Sequence, residues 1–220
     1  MNQSYLDHDA LRIYMTLADG GVALARSNFG YTLLAMKYDA VARVDALKSP
    51  RRREHWAICG TPAVLEDIAD GVDASLLAWL GRPGANGRPF GVLARPRPGS
   101  LLLAGLEESV VRQCSQGSTV SVALGGGHLI ALTVAIAANH GRLVAAWTVA
   151  LARKSEVSAL DDVSPSIRRG VDLAIEDGSS VARRAHRGAF LNLTRASSER
   201  RLHPLDEATT SAVEAALRAA

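Results

Sequence analysis

Four cations stand within six residues at Lys48-Ser49-Pro50-Arg51-Arg52-Arg53. Like charges this close repel unless an anion or carboxylates stand beside them. A phosphate, a nucleotide or a nucleic-acid backbone would answer Lys48, Arg51, Arg52 and Arg53. A solvated loop neutralised by Asp45 and Glu54 would answer them too. A second group is Ser27-Asn28-Phe29-Gly30-Tyr31-Thr32, which follows an apolar run. Polar residues at the carboxyl end of a strand are where open α/β sheets hold ligands, although Asn and Gly also make plain turns. A third is Gly125-Gly126-Gly127-His128 at a helix start. Its backbone N–H groups form either a candidate anion nest or a flexible turn. No Lys-Ser or Lys-Thr follows, so it is not a P-loop.

Other chemistries find no pattern. The six histidines are His8, His55, His128, His140, His186 and His203. None has the spacing of a zinc-binding helix, and only His128 and His140 suggest a pair that folding could join. There is no G-x-S-x-G elbow. Glu66-Asp67 and Asp161-Asp162 read as solvated faces or caps. Cys59 and Cys114 form neither a metal spacing nor a disulfide framework, which predicts a reduced cytoplasmic protein.

These residues need a scaffold. Helices are expected over Asp7–Leu17 (capped by Asp7 or Asp9), Tyr38–Leu47, from Pro62, over Ala74–Leu80 and His128–Ala138, around Pro165–Arg169 and over Thr209–Ala220. Strands are expected over Val22–Arg26, His55–Cys59, Phe90–Ala94, Thr119–Leu124, Leu143–Val149, Val171–Ile175 and Ala189–Thr194. The alternation predicts an α/β fold. Across 220 residues, 48% are hydrophobic and 21% charged, enough for a full core and unlike a disordered chain. The longest apolar stretches, LIALTVAIAA and LVAAWTVALA, fall short of the about 18 residues a membrane span needs. No signal peptide is read at the N-terminus. The formal charge is +3, and the cations are nearly all arginine, the residue whose fork suits phosphate and carboxylate; arginine-rich codon usage would produce the same bias.

Taken in order, the motifs resemble the Sua5/YciO/YrdC-like family. The clearest stretch is ADGGVALARSNFGYTLLAMKYDAVARVDALKSPRRR. Family members show a helix, a GG-V pair with its strand, P-T-(D/E)-T-x-Y-G-L, an alanine-rich helix and an L-K-x-R loop. Gly20-Gly21-Val22 matches the glycine pair, Ser27 the first threonine, Tyr31 the tyrosine, Leu33 the leucine and Lys48 the loop lysine. Arg88-Pro89-Phe90 resembles a P-G-P-(L/F)-T strand start. Thr119-Val120-Ser121-Val122 resembles the strand before an R-x-P segment, and His128 falls near that segment's histidine. Leu143–Ala152 lies where the family has S-A-N-x-S-G, while Val171-Asp172-Leu173 with Asp177-Gly178 resembles V-D-L-x-x-D-G. Gly188–Thr194 resembles S-T-V-V-D-L-T.

The resemblance implies a single α/β domain, taken as residues 1–205, with a twisted mixed β-sheet flanked by helices in the YrdC-like (DHBP synthase-like) fold; the alanine-rich end is expected to form a C-terminal helix over 206–220. It implies a concave basic surface and L-threonylcarbamoyladenylate synthesis from threonine, bicarbonate and ATP for tRNA modification. It also implies double-stranded RNA binding. ATP with Mg2+ would be required only for the synthase reaction. The implied ligand-binding set is Ser27, Tyr31, Lys48, Arg51, Arg52, Arg53, His128, Trp147 and Thr148; no residue is singled out as catalytic. Arg26 and Phe29 replace the family's proline and second threonine. Ala123 stands for the R-x-P arginine, Trp147-Thr148-Val149 for S-A-N, and Gly188-Ala189 for Ser-Thr. Pro50 falls on the loop arginine unless Arg51 or Arg52 substitutes. Losing one transition-state donor costs about 2–4 kcal/mol. Two other readings therefore stand beside the synthase: a repurposed paralogue for a small carboxylated or aromatic metabolite, suggested by Phe29 and Trp147, and an inactive RNA- or partner-binding module. No membrane partner is expected, and the oligomeric state is open.

Overall fold

The computed structural model describes residues 3–28, 30–47, 56–80, 90–148, 159–176 and 189–194. The expected helix over 209–220 lies outside them. Strands β1 (Ala23–Ser27), β2 (Gly30–Ala35), β3 (Ala57–Cys59), β4 (Phe90–Ala94), β5 (Ser115–Gln116), β6 (Thr119–Leu124), β7 (Ala145–Thr148), β8 (Leu173–Ile175) and β9 (Ala189–Asn192) form one mixed sheet. Its order is β8-β1-β2-β7-β3-β6-β4-β9, with β5 paired to β6. The pairs β1–β8, β3–β6 and β4–β9 are parallel and the rest antiparallel. The helices are α1 (Gln3–Ala18), α2 (Tyr38–Leu47), α3 (Pro62–Ile68), α4 (Ala74–Leu80), α5 (Leu101–Ala104), α6 (Glu108–Gln113), α7 (His128–Asn139) and α8 (Pro165–Arg169). The fold class is the one the sequence predicts.

Local signals account for many boundaries. Thr61 caps α3, its hydroxyl accepting from Val64 N at 3.3 Å, and Pro62 opens the helix. Other expectations need correction. The first helix begins at Gln3, so Asp7 and Asp9 are interior and not caps; Asp9 instead accepts from Arg12 at 3.2 Å. The segment after Ser27 is no loop but a tight hairpin, because Gly30–Ala35 returns as β2. Five of its six residues are buried, so the polar–apolar alternation that reveals a half-exposed strand is missing. Helices α5 and α6 and strand β5 were also not expected. His128 and His140 stand at opposite ends of α7, about 18 Å apart by helical rise, so they form no pair. His140 stacks on Tyr14 of α1 instead, ring centroids 5.1 Å apart.

Two stretches of the resemblance meet at the start of β1. Gly20 has φ +89°, and a Cβ on Gly21 would fall 2.7 Å from Thr16 Cγ2 and 2.8 Å from Thr16 O. The glycine pair therefore permits a close reversal from α1 into the sheet. Asp172, from the V-D-L stretch 150 residues away, accepts from Val22 N at 2.7 Å and pairs with Arg43 of α2. One carboxylate thus ties β1, α2 and the start of β8. Asp172→Ala is expected to cost about 1–2 kcal/mol in chemical denaturation, since both donors lose their acceptor at a partly exposed position. An unchanged midpoint would show that the tie contributes nothing.

The sheet also coils. β1 and β6 are separated by β2, β7 and β3, yet Asn28 N donates to Gly126 O, just past β6, at 3.1 Å. Strand-to-strand twist accumulates with a fixed hand, and here it brings the β1–β2 hairpin tip to the end of β6.

Candidate ligand-binding site

That coiling joins two of the three sequence groups. Asn28 Nδ2 donates to Gly125 O at 2.9 Å, beside the Asn28 N to Gly126 O bond. Gly127 has φ +95°, and a Cβ on it would meet Asn28 Oδ1 at 3.4 Å. The triple glycine therefore lets the backbone lie against the hairpin tip. His128 follows, exposed, as the first residue of α7.

Ser27 ends β1 half-buried. Its hydroxyl donates to Gly30 O at 2.8 Å and lies 2.7 Å from Thr32 Oγ1. Thr32 is only 2% exposed. Ser27 is thus the member a ligand could reach, and Thr32 holds it from behind. Across the ladder, Thr148 stands opposite Thr32; the backbone of Thr148 is described, but its side chain lies outside what the structure describes.

Side chains alternate across a strand, so register sorts the faces. On the Thr32 side fall Ala25, Leu34, Ala146, Ala57, Cys59, Ser121, Ala123 and Leu93. Ala57, Ala123 and Leu93 are half-buried, whereas Ala25, Leu34, Cys59, Ser121 and Ala146 are at most 5% exposed, so this face is partly accessible only at β3, β4 and β6. Ala123, at the R-x-P arginine position, places a half-buried methyl group on this face. On the other side fall Leu24, Tyr31, Leu33, Trp147, Ile58 and Val122, each at most 7% exposed. Tyr31 and Trp147 therefore belong to the core side, away from Ser27 and Thr32. The tyrosine is completely buried, and its hydroxyl donates to Glu176 at 2.9 Å. An aromatic ligand surface built on Trp147 has no support from this placement, and Phe29 lies outside the described residues.

Lys48, Arg51, Arg52 and Arg53 also lie outside the described residues, as do Arg88, Pro89, Val149, Asp177, Gly178 and Gly188. The described flanks of the basic run are joined: Trp56 Nε1 donates to Asp45 Oδ1 at 2.8 Å. Ala57 pairs with Ala146, two residues from Thr148. Asp45, read from sequence as a neutraliser of the run, accepts from the buried indole, and the run itself lies outside the described residues. Asn28 and Thr32 stood in the second sequence group but not in the implied ligand-binding set, and Glu176 was missed. Their roles depend on partners that no local spacing reveals, apart from the short Ser27–Thr32 interval.

Among the described residues, no three His, Cys, Asp or Glu side chains are grouped to hold a metal ion. Cys59 lies on the same face, 4% exposed, and burial pushes its thiol from 9.0 up to about 12. It therefore stays protonated at neutral pH and makes no thiolate nucleophile. The sign follows directly. Below pH about 9 both folded and unfolded thiols are protonated; between about 9 and 12 only the unfolded one ionises. Stability should fall as pH rises through that window, and Cys59→Ala should flatten the fall in urea titrations. An identical alkaline slope in the variant would rule this out.

No family model and no curated protein matches the chain. Solved structures do. The chain is similar to a hypothetical protein from Streptococcus mutans at 14% identity and TM-score 0.70, covering 91% of this chain and 88% of that one. It is similar to E. coli YciO at 13% identity and TM-score 0.63, covering 89% and 87%. It is similar to P. abyssi Sua5 complexed with L-threonine at 17% identity and TM-score 0.62, covering 86% of this chain and 52% of that one. The chain thus spans about half the length of that Sua5 protein. At such identities the likeness establishes the fold, which is Sua5/YrdC-like. No described helix is long and apolar enough to cross a membrane.

Proposed function

We propose that this chain, with its Sua5/YrdC-like fold, is a nucleotide-binding protein whose ligand lies against the Ser27 end of the β1–β2 hairpin. Its reaction is the L-threonylcarbamoyladenylate synthesis that serves tRNA modification. The observation that carries this reading is the Ser27–Thr32 hydroxyl pair at the end of β1, where Ser27 is half-buried. Ser27 stands where the family motif has its first threonine, and a protein of this fold is known complexed with L-threonine. Lys48, Arg51 and Arg52 supply the cations that adenylation needs where pyrophosphate charge develops. Ala123 and the Trp147-Thr148-Val149 stretch lack the family's donors, so the expected turnover is slow unless Arg51 or Arg52 compensates. Mg2+ would arrive as the counter-ion of ATP.

The test is calorimetric titration with ATP and with L-threonine, followed by pyrophosphate release in the presence of bicarbonate. Saturable ATP binding with threonine-dependent release supports the proposal. No binding of either compound rejects it, and binding without release reduces it to nucleotide binding. The double-stranded RNA component rests on the basic run. If those four cations meet phosphates, RNA affinity should fall with salt at a log–log slope of about −3 to −4. A flat salt dependence would remove RNA from the reading.

A further inference from the structure

The hairpin that carries Ser27 and Thr32 is anchored at two points. At its tip, Asn28 bonds to Gly125 and Gly126. On its other face, the buried hydroxyl of Tyr31 donates to Glu176 Oε1 at 2.9 Å, and the same oxygen accepts from Leu160 N at 3.4 Å. Glu176 follows β8, whose Ile175 pairs with Ala25; Arg26, the next residue, pairs with Tyr31. An exposed carboxylate therefore reaches back to a phenol with no solvent access and gathers three segments: β2, the end of β8 and the 3-10 turn Leu160–Asp162.

We propose that Glu176 is a positioning residue of the ligand site, acting through Tyr31 to hold the β1–β2 hairpin so that the Ser27 and Thr32 hydroxyls keep their binding geometry. This deepens the nucleotide-binding reading and rests on it for the choice of ligand. Thr32 follows Tyr31 directly and points to the opposite face, so a shift of the phenol moves the hydroxyl pair with the strand. A hydrogen bond from a phenol to a side-chain carbonyl or carboxylate oxygen is directional, which suits a tie that sets angle and register. Small displacements of an orienting group are costly to binding and reaction.

The test has a ligand-free arm and a ligand arm, with Tyr31→Phe, Glu176→Ala and the conservative Glu176→Gln. In the ligand-free arm, the first two should speed amide hydrogen exchange over residues 25–33 relative to α7, and Glu176→Gln should restore the wild-type pattern because its Oε1 still accepts. In the ligand arm, Tyr31→Phe and Glu176→Ala should weaken ATP binding roughly tenfold, and the double variant should be no weaker than either single one. Unchanged local exchange, or exchange raised equally throughout the protein, overturns the proposal. So does unchanged ATP affinity in both variants. If the wild-type protein binds no ATP, the functional reading fails, while the ligand-free arm still decides whether Glu176 holds the hairpin.

Discussion

Replacing Trp147 by alanine is expected to lower the unfolding midpoint by roughly 6–20 °C. The indole is 7% exposed on β7, opposite Leu33 in the ladder and on the face that holds Ile58 and Val122. Truncating a buried tryptophan costs about 3–5 kcal/mol, because transfer free energy is lost and a cavity remains. For a chain of this size each kcal/mol shifts the midpoint by about 2–4 °C. ATP affinity, measured well below the transition, should stay near that of the wild type, since Trp147 faces away from Ser27. A scanning denaturation paired with titration separates the cases. Lost affinity with an unmoved midpoint would place the indole against the ligand and reverse the assignment of faces.

The second large effect is on binding. Ser27→Ala should weaken ATP binding roughly 2- to 13-fold, the range for losing a neutral hydrogen bond, since the Ser27 proton is given to Gly30 O and its oxygen is left to accept from the ligand. Thr32→Val should do the same to a smaller extent, because Thr32 acts through Ser27 and is itself buried. The double variant should resemble Ser27→Ala, since coupled residues do not add. Ser27→Ala removes the bond to Gly30 O and takes the 2.7 Å partner from the buried Thr32 hydroxyl, so a stability cost of about 1–3 kcal/mol is expected and affinity is read well below the transition. If Ser27→Ala binds ATP as tightly as the wild-type protein, the ligand lies elsewhere on the sheet.

Much of the scaffold could be read locally. Tyr38–Leu47, Pro62 as a helix opener, Ala74–Leu80, Phe90–Ala94 and Thr119–Leu124 all form the elements their patterns predict. Strand β2 did not announce itself, since both its faces are covered and its residues show no alternation. The candidate site was legible as a set of names and not as an arrangement. Ser27 keeps its half-buried place at the end of β1; Tyr31 and Trp147, taken from the same motifs, turn to the core because they occupy the other parity of their strands. The basic run Lys48, Arg51, Arg52 and Arg53 lies outside the described residues.

By itself the sequence determined the alternation of helices and strands and the order of motifs that points to this fold, because both are carried by near neighbours in the chain. Tertiary structure alone decided which side each strand residue faces and which distant groups meet. Asn28 finds Gly125 across 97 residues, Tyr31 finds Glu176 across 145, and Val22 finds Asp172 across 150. Such contacts depend on the register and accumulated twist of the whole sheet, and a one-residue slip in any strand would send its side chains to the opposite face.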